Sequence, residues 1–180
     1  MKYDVLFRTV AKPIDLYLLK NTYLEKDVIE RLKDKIEKNL IKENFGITNV
    51  KAHMTSWVQF CNDPDFKQFF KAIIPDIHRC VGPHKQVYIH NAWGNKLNEG
   101  EHHVAKHCHH QTTLICGVLH LDDNGPGLHF EDFDTTIKEV TGGYVLFHPD
   151  AWHEVKKFKY TSPRYSIAFN IHKNWYPQTR

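Results

Sequence analysis

Two patterns of apolar spacing divide the chain. In the first ~80 residues, apolar positions recur at helical steps. Val28, Ile29, Leu32, Ile36 and Leu40 follow one another at intervals of three and four, with Lys and Glu between them. That spacing puts one apolar stripe on an amphipathic helix, predicted to end near Gly46. Asn62-Asp63-Pro64 reads as a helix cap followed by a first-turn proline, and Phe66, Phe69, Phe70, Ile73 and Ile77 then share one face. Pro75 is predicted to kink or end this second helix, because it lacks the N–H of an interior turn.

From about Gln86 the period shortens to that of strands. The candidates are 86–93, 112–121, 127–130, 143–148, 152–158 and 165–171, separated by turn-forming runs such as Asp122-Asp123-Asn124-Gly125-Pro126-Gly127. Helices followed by many short strands predict a mainly β (α+β) sandwich or barrel with the helices packed on one side. The expected organisation is one domain over 1–180, with a helical support region to about residue 80 and a β core over about 86–172.

Composition narrows the function classes. Apolar residues make up 41% and charged residues 25%, as in an ordinary globular protein. The net charge of +3 supplies no basic stripe for nucleic acid, though it is compatible with small anionic ligands. Cys61, Cys80, Cys108 and Cys116 form no CxxC pair, so reduced thiols and a cytoplasmic location are expected. No membrane span is expected, since no apolar run approaches ~18 residues. An exposed Cys108 would be prone to oxidation.

Histidine is the unusual residue. Nine of the fourteen lie between His102 and His153, and imidazole is a common ligand for transition metals. In Lys106-His107-Cys108-His109-His110, a strand would turn His107 and His109 to one side and Cys108 to the other. His110 and His103 are spare candidates, and a solvated histidine-rich loop fits the His-x-His run equally well. A second constellation runs from Gly142-Gly143 through an apolar strand and a His148-Pro149-Asp150 turn to His153. In a third, Arg164 and Ser166 share a strand face, where a guanidinium and a hydroxyl together can hold a carboxylate.

The ordered set resembles the 2-oxoglutarate and iron(II)-dependent oxygenases, specifically the prolyl-hydroxylase-like branch of bacteria and tailed phages. The resemblance covers roughly two thirds of the chain. It runs from 49–55 through Asn91-Ala92-Trp93, His107-Cys108-His109, 116–121 and 143–153 to 164–170. It implies a double-stranded β-helix (a jelly roll, cupin-like) that uses Fe(II), 2-oxoglutarate and dioxygen. His107 and His153 would bind iron with His109 as third ligand, and Arg164, assisted by Ser166, would hold the distal carboxylate of 2-oxoglutarate. Asn95 is a further candidate cosubstrate contact, and Tyr88 and Trp93 are candidate pocket walls with Tyr144, Trp152 and Phe169.

The superfamily pattern has a carboxylate where this chain has His109. The third ligand therefore stays open between His109 and His110, with Gln111, Glu131 and Asp132 as outside alternatives. Three neutral histidines leave a ferrous ion its full double charge, which dianionic 2-oxoglutarate would neutralise. The implied reaction is hydroxylation of an unactivated C–H bond coupled to decarboxylation of 2-oxoglutarate to succinate. The substrate, a small molecule or a peptide or protein residue such as proline, is not named by the sequence. A cupin-type three-histidine zinc hydrolase or iron dioxygenase that does not use 2-oxoglutarate is the alternative, and it would have no need of Arg164 and Ser166.

Overall fold

A computed structural model describes residues 4–9, 13–19, 24–41, 48–82, 86–98, 100, 102–109 and 113–173. In chain order the elements are β1 (Asp4–Thr9), β2 (Pro13–Leu19), α1 (Lys26–Lys38), β3 (Val50–Lys51), β4 (His53–Met54), α2 (Pro64–Val81), β5 (Val87–Leu97), β6 (His103–His107), β7 (Thr113–His120), β8 (Leu128–Phe130), a 3-10 turn (Glu131–Phe133), β9 (Thr135–Ile137), β10 (Tyr144–Phe147), β11 (His153–Val155) and β12 (Arg164–Lys173). A seven-stranded antiparallel sheet, ordered β1-β2-β10-β7-β12-β5-β4, faces a five-stranded one, ordered β3-β6-β11-β8-β9. This is a double-stranded β-helix.

Two cores follow from the two faces of the larger sheet. On its outer face, Leu32 and Ile36 of α1 and Phe66, Phe69, Ile73 and Ile77 of α2 pack on Ile115, Leu119, Leu146, Ile167 and Ile171. Between the sheets, Trp93, Cys116, Val118, Val145 and Phe147 meet Val50, Leu128, Phe130, Ile137 and Val155. β7 and β10 lie under both cores, so Leu114 to His120 and Tyr144 to Phe147 are buried without alternation. Full burial of one such side chain is worth ~1.5–3 kcal/mol.

Both helices sit on one side of the sheet, as the apolar stripes require. α1 ends at Lys38 rather than near Gly46, with Leu40 packed against the core beyond it. At α2 the Asp63 side chain accepts from the Phe66 N–H and Pro64 opens the first turn. The Tyr144 hydroxyl donates to buried Asp76 at 2.6 Å, tying this helix to β10.

Two expectations are corrected. Of the two outcomes expected at Pro75, a kink or an end, the end is not met, since α2 continues to Val81. Pro75 and Lys71 both lie on the solvent face, so the carbonyl that loses its partner there is open to water. The first ~80 residues are also not helical throughout, since β1 and β2 form a hairpin that extends the large sheet beside β10. Among the described residues, no helix is long and apolar enough to cross a membrane, and none of the four cysteines forms a disulfide.

Candidate metal centre and the adjoining cavity

His107 is the last residue of β6 and His153 the first of β11, and the two are direct cross-strand partners. Their ring centroids lie 4.2 Å apart. His109 comes from a different geometry than the strand alternation predicted. The strand ends at His107, and the chain then turns so that the His109 N–H donates to the Pro149 carbonyl at 2.7 Å. The His148-Pro149-Asp150 turn thus holds the backbone of His109, and two separate histidine constellations of the sequence are joined. His109 stacks on His153 at 5.3 Å between centroids. One ligand atom from each of His107, His109 and His153 lies within 4.8 Å of the others.

Hydrogen bonding sets the ring tautomers. The His107 Nδ1 lies 2.8 Å from the Ala105 carbonyl and the His153 Nδ1 lies 2.9 Å from the Ala151 carbonyl. A carbonyl only accepts, so each Nδ1 carries the proton and each Nε2 presents a lone pair. That arrangement fits a divalent transition metal. Burial pushes the His107 pKa down. Burial against Phe147 and Phe130, followed by the neighbouring His107, pushes that of His153 well down. Both rings are therefore neutral and ligand-competent near neutral pH. At His109, the Nδ1 faces the Asn170 Nδ2 at 3.4 Å, while the Asn170 Oδ1 is buried with no hydrogen-bond partner among the described residues. Rotating that amide by half a turn offers Oδ1 to an Nδ1–H, which is the polarity a metal at Nε2 requires.

The three histidines border a cavity of about 400 Å³ between the sheets. Alternate residues of β12 line it, from Arg164 and Ser166 through Ala168 to Asn170. Asn95, the cross-strand partner of Ser166, also lines it, as do Trp93, Phe169 and Cys108.

At the Arg164 end the guanidinium is already paired. Its Nε donates to the Glu139 Oε1 at 2.6 Å, its Nη2 lies 2.6 Å from the same oxygen, and its Nη1 lies 3.4 Å from the Ser166 Oγ. Arg164 and Glu139 are both buried. His120 lies alongside, with Nδ1 4.0 Å from the Glu139 Oε1. Burial and then the charge of Arg164 push His120 down to about 3, so the ring is neutral.

Several sequence candidates lie elsewhere. Tyr88 is 47% exposed, with its hydroxyl donating to Gln86. It does not border the cavity, and neither do Trp152, which is exposed, or Tyr144, which faces α2. Glu131 pairs with Lys106 at the surface, and Asp132 accepts from the Trp152 N–H. His103 lies in β6 away from the triad. His110 and Gln111 lie outside the described residues. Cys108 is half-buried, and burial raises its thiol pKa, which disfavours the reactive thiolate. Glu139 and Asn170 went unassigned by sequence reasoning. Lys138-Glu139 has the look of a solvated pair, and Asn170 gives no signal apart from its two-residue step from Ala168.

No family model matches the sequence. No curated protein matches it either. Solved structures do. The viral collagen prolyl hydroxylase of Paramecium bursaria Chlorella virus-1, in complex with 2-oxoglutarate, aligns with a TM-score of 0.67 at 12% identity over 87% of this chain and 94% of that one. The fold is that of the 2-oxoglutarate and iron(II)-dependent oxygenases. A prolyl-4-hydroxylase of Pseudomonas putida aligns at 0.66 with 14% identity, over 87% and 92% of the two chains. HygX of Streptomyces hygroscopicus, with nickel and 2-oxoglutarate bound, aligns at 0.67 with 9% identity, over 92% and 85%.

Proposed function

We propose that the protein is an iron(II)- and 2-oxoglutarate-dependent oxygenase that hydroxylates an unactivated C–H bond. One observation carries the reading: three histidine ligand atoms converge on a cavity whose lining also includes a guanidinium and a hydroxyl. His107, His109 and His153 would hold the metal, and Arg164 with Ser166 would receive the distal carboxylate, with Asn95 beside them. Iron with 2-oxoglutarate and dioxygen supplies the oxidising power when bound. The chain's own part is orientation and exclusion of water. Phe147 and Phe130 keep His153 dry, and Trp93 and Phe169 wall the cavity. The substrate is a small molecule or a residue of a peptide or protein, and the two prolyl hydroxylases of like fold favour testing prolyl peptides first.

The test is anaerobic binding of 2-oxoglutarate to the iron-loaded protein, followed by succinate formation in air. Saturable binding that weakens in Arg164→Ala is the expected result. The pairing of Arg164 with Glu139 favours a second reading, a three-histidine metalloenzyme that makes no use of 2-oxoglutarate. Retention of metal without any saturable binding of 2-oxoglutarate would select it.

A further inference from the structure

Arg164 is the one charged group that meets the cavity opposite the histidines among the described residues, and it carries its own counter-ion. Glu139 does not line the cavity. It approaches the guanidinium through Oε1 at Nε and Nη2 and leaves Nη1 directed at Ser166. Its other oxygen, Oε2, is buried with no hydrogen-bond partner among the described residues. Glu139 also packs closely on Gly125. A Cβ there would stand 2.3 Å from the Glu139 Oε2 and 2.9 Å from the Arg164 Cδ, so the lack of a side chain at Gly125 is what lets the pair pack at this place. His120 beside them is neutral and adds no charge.

We propose that Glu139 is a built-in counter-anion that weakens the grip of Arg164 on the distal carboxylate of 2-oxoglutarate and so sets how strongly this site selects a dicarboxylate. The inference rests on the function proposed above. With Glu139 in place the far end of the cavity is electrically neutral, and a ligand carboxylate gains hydrogen bonds from Nη1 and the Ser166 hydroxyl more than net attraction. Removing the negative charge leaves the guanidinium buried and uncompensated until a ligand carboxylate arrives. Binding of the dicarboxylate then gains what the unliganded fold loses.

The experiment measures dissociation constants of 2-oxoglutarate and of 2-oxobutyrate, which lacks the distal carboxylate, on Ni(II)-loaded wild type and Glu139→Gln. The variant is expected to bind 2-oxoglutarate about tenfold more tightly, from the loss of one like charge on the far side of the guanidinium. Its affinity for 2-oxobutyrate should be unchanged, whereas a merely structural role would move both ligands together. Equal or weaker preference for 2-oxoglutarate in Glu139→Gln overturns the inference and leaves the proposed function standing. If neither protein binds 2-oxoglutarate, both fall. Should Glu139→Gln not fold, wild type alone decides. A neutralised site predicts that the distal carboxylate adds less than ~30-fold over 2-oxobutyrate, the lower edge for an uncompensated buried charge pair, and a larger ratio overturns the proposal.

Discussion

His107 and His153 face one another across the β6–β11 ladder, and each donates its Nδ1–H to the carbonyl two residues before it, Ala105 and Ala151 respectively. The two local bonds orient both rings before any metal arrives, so little ordering remains to be done on binding. Replacing either histidine with Ala should lower Fe(II) or Zn(II) affinity by more than about 100-fold, beyond the ~10–100-fold typical of outer partners. Metal content after dialysis checks this. A His107→Ala, His153→Ala double variant that retained one equivalent of metal would dispose of the site.

Asn170 tests the third ligand. If His109 binds through Nε2, the Asn170 amide holds its Nδ1–H, and Asn170→Leu should cost about 10–100-fold in metal affinity without removing a ligand. Asn170→Asp should recover part of the loss, because a carboxylate is a stronger acceptor at the same place. An unaltered affinity in Asn170→Leu would move the third ligand away from His109.

The elements with strong periodicity were legible, and those without it were not. Val28 to Ile36 and Phe66 to Ile77 declared their helices because each buries one face on a sheet. β7 and β10 declared themselves as apolar runs, and β12 by the step-of-two recurrence of Tyr165, Ile167 and Phe169. β6 did not, because His-Val-Ala-Lys-His carries almost no apolar signal, and β9 has only three residues. β1 and β2 were missed although Ile14, Leu16 and Leu18 alternate, a short signal beside the helical patterns that follow. At the site, the histidines and Arg164 could be picked out by residue type. Glu139 could not, since only the three-dimensional path of the 122–143 segment takes a carboxylate beneath Arg164.

The Arg164–Glu139 pair changes what a single substitution at Arg164 means. Arg164→Ala would leave a buried carboxylate without its partner and should destabilise the fold by about 3–5 kcal/mol, apart from any effect on ligand. An Arg164→Met, Glu139→Met double variant should recover most of that stability, because paired burial of charge is often no better than an apolar replacement. Urea unfolding of the three proteins checks the order. A double variant no more stable than Arg164→Ala would mean that the pair holds the fold through contacts other than its charge.

His120 gives the stability a pH dependence of defined sign. In the fold its pKa is about 3, lowered by burial and then by the Arg164 charge, whereas in an unfolded chain it is about 6.5. Between those values the unfolded chain binds a proton that the folded chain excludes. The contribution is therefore complete above ~pH 6.5 and is lost as the pH falls toward about 3, at up to ~1.4 kcal/mol per pH unit. Glu139, 4.0 Å away, would favour the protonated ring, but its charge is taken up by Arg164 at 2.6 Å. The depressed pKa values of His107 and His153 act in the same direction in the metal-free protein. Asp65, lowered to about 2 chiefly by its hydrogen bond to Arg31, adds its loss only at more acid pH. Substituting His120→Gln removes one titrating ring while leaving the others, so unfolding free energies between pH 7 and 5 should fall with a slope shallower by about one proton. Identical slopes in wild type and variant would mean that His120 is already open to protons in the folded protein.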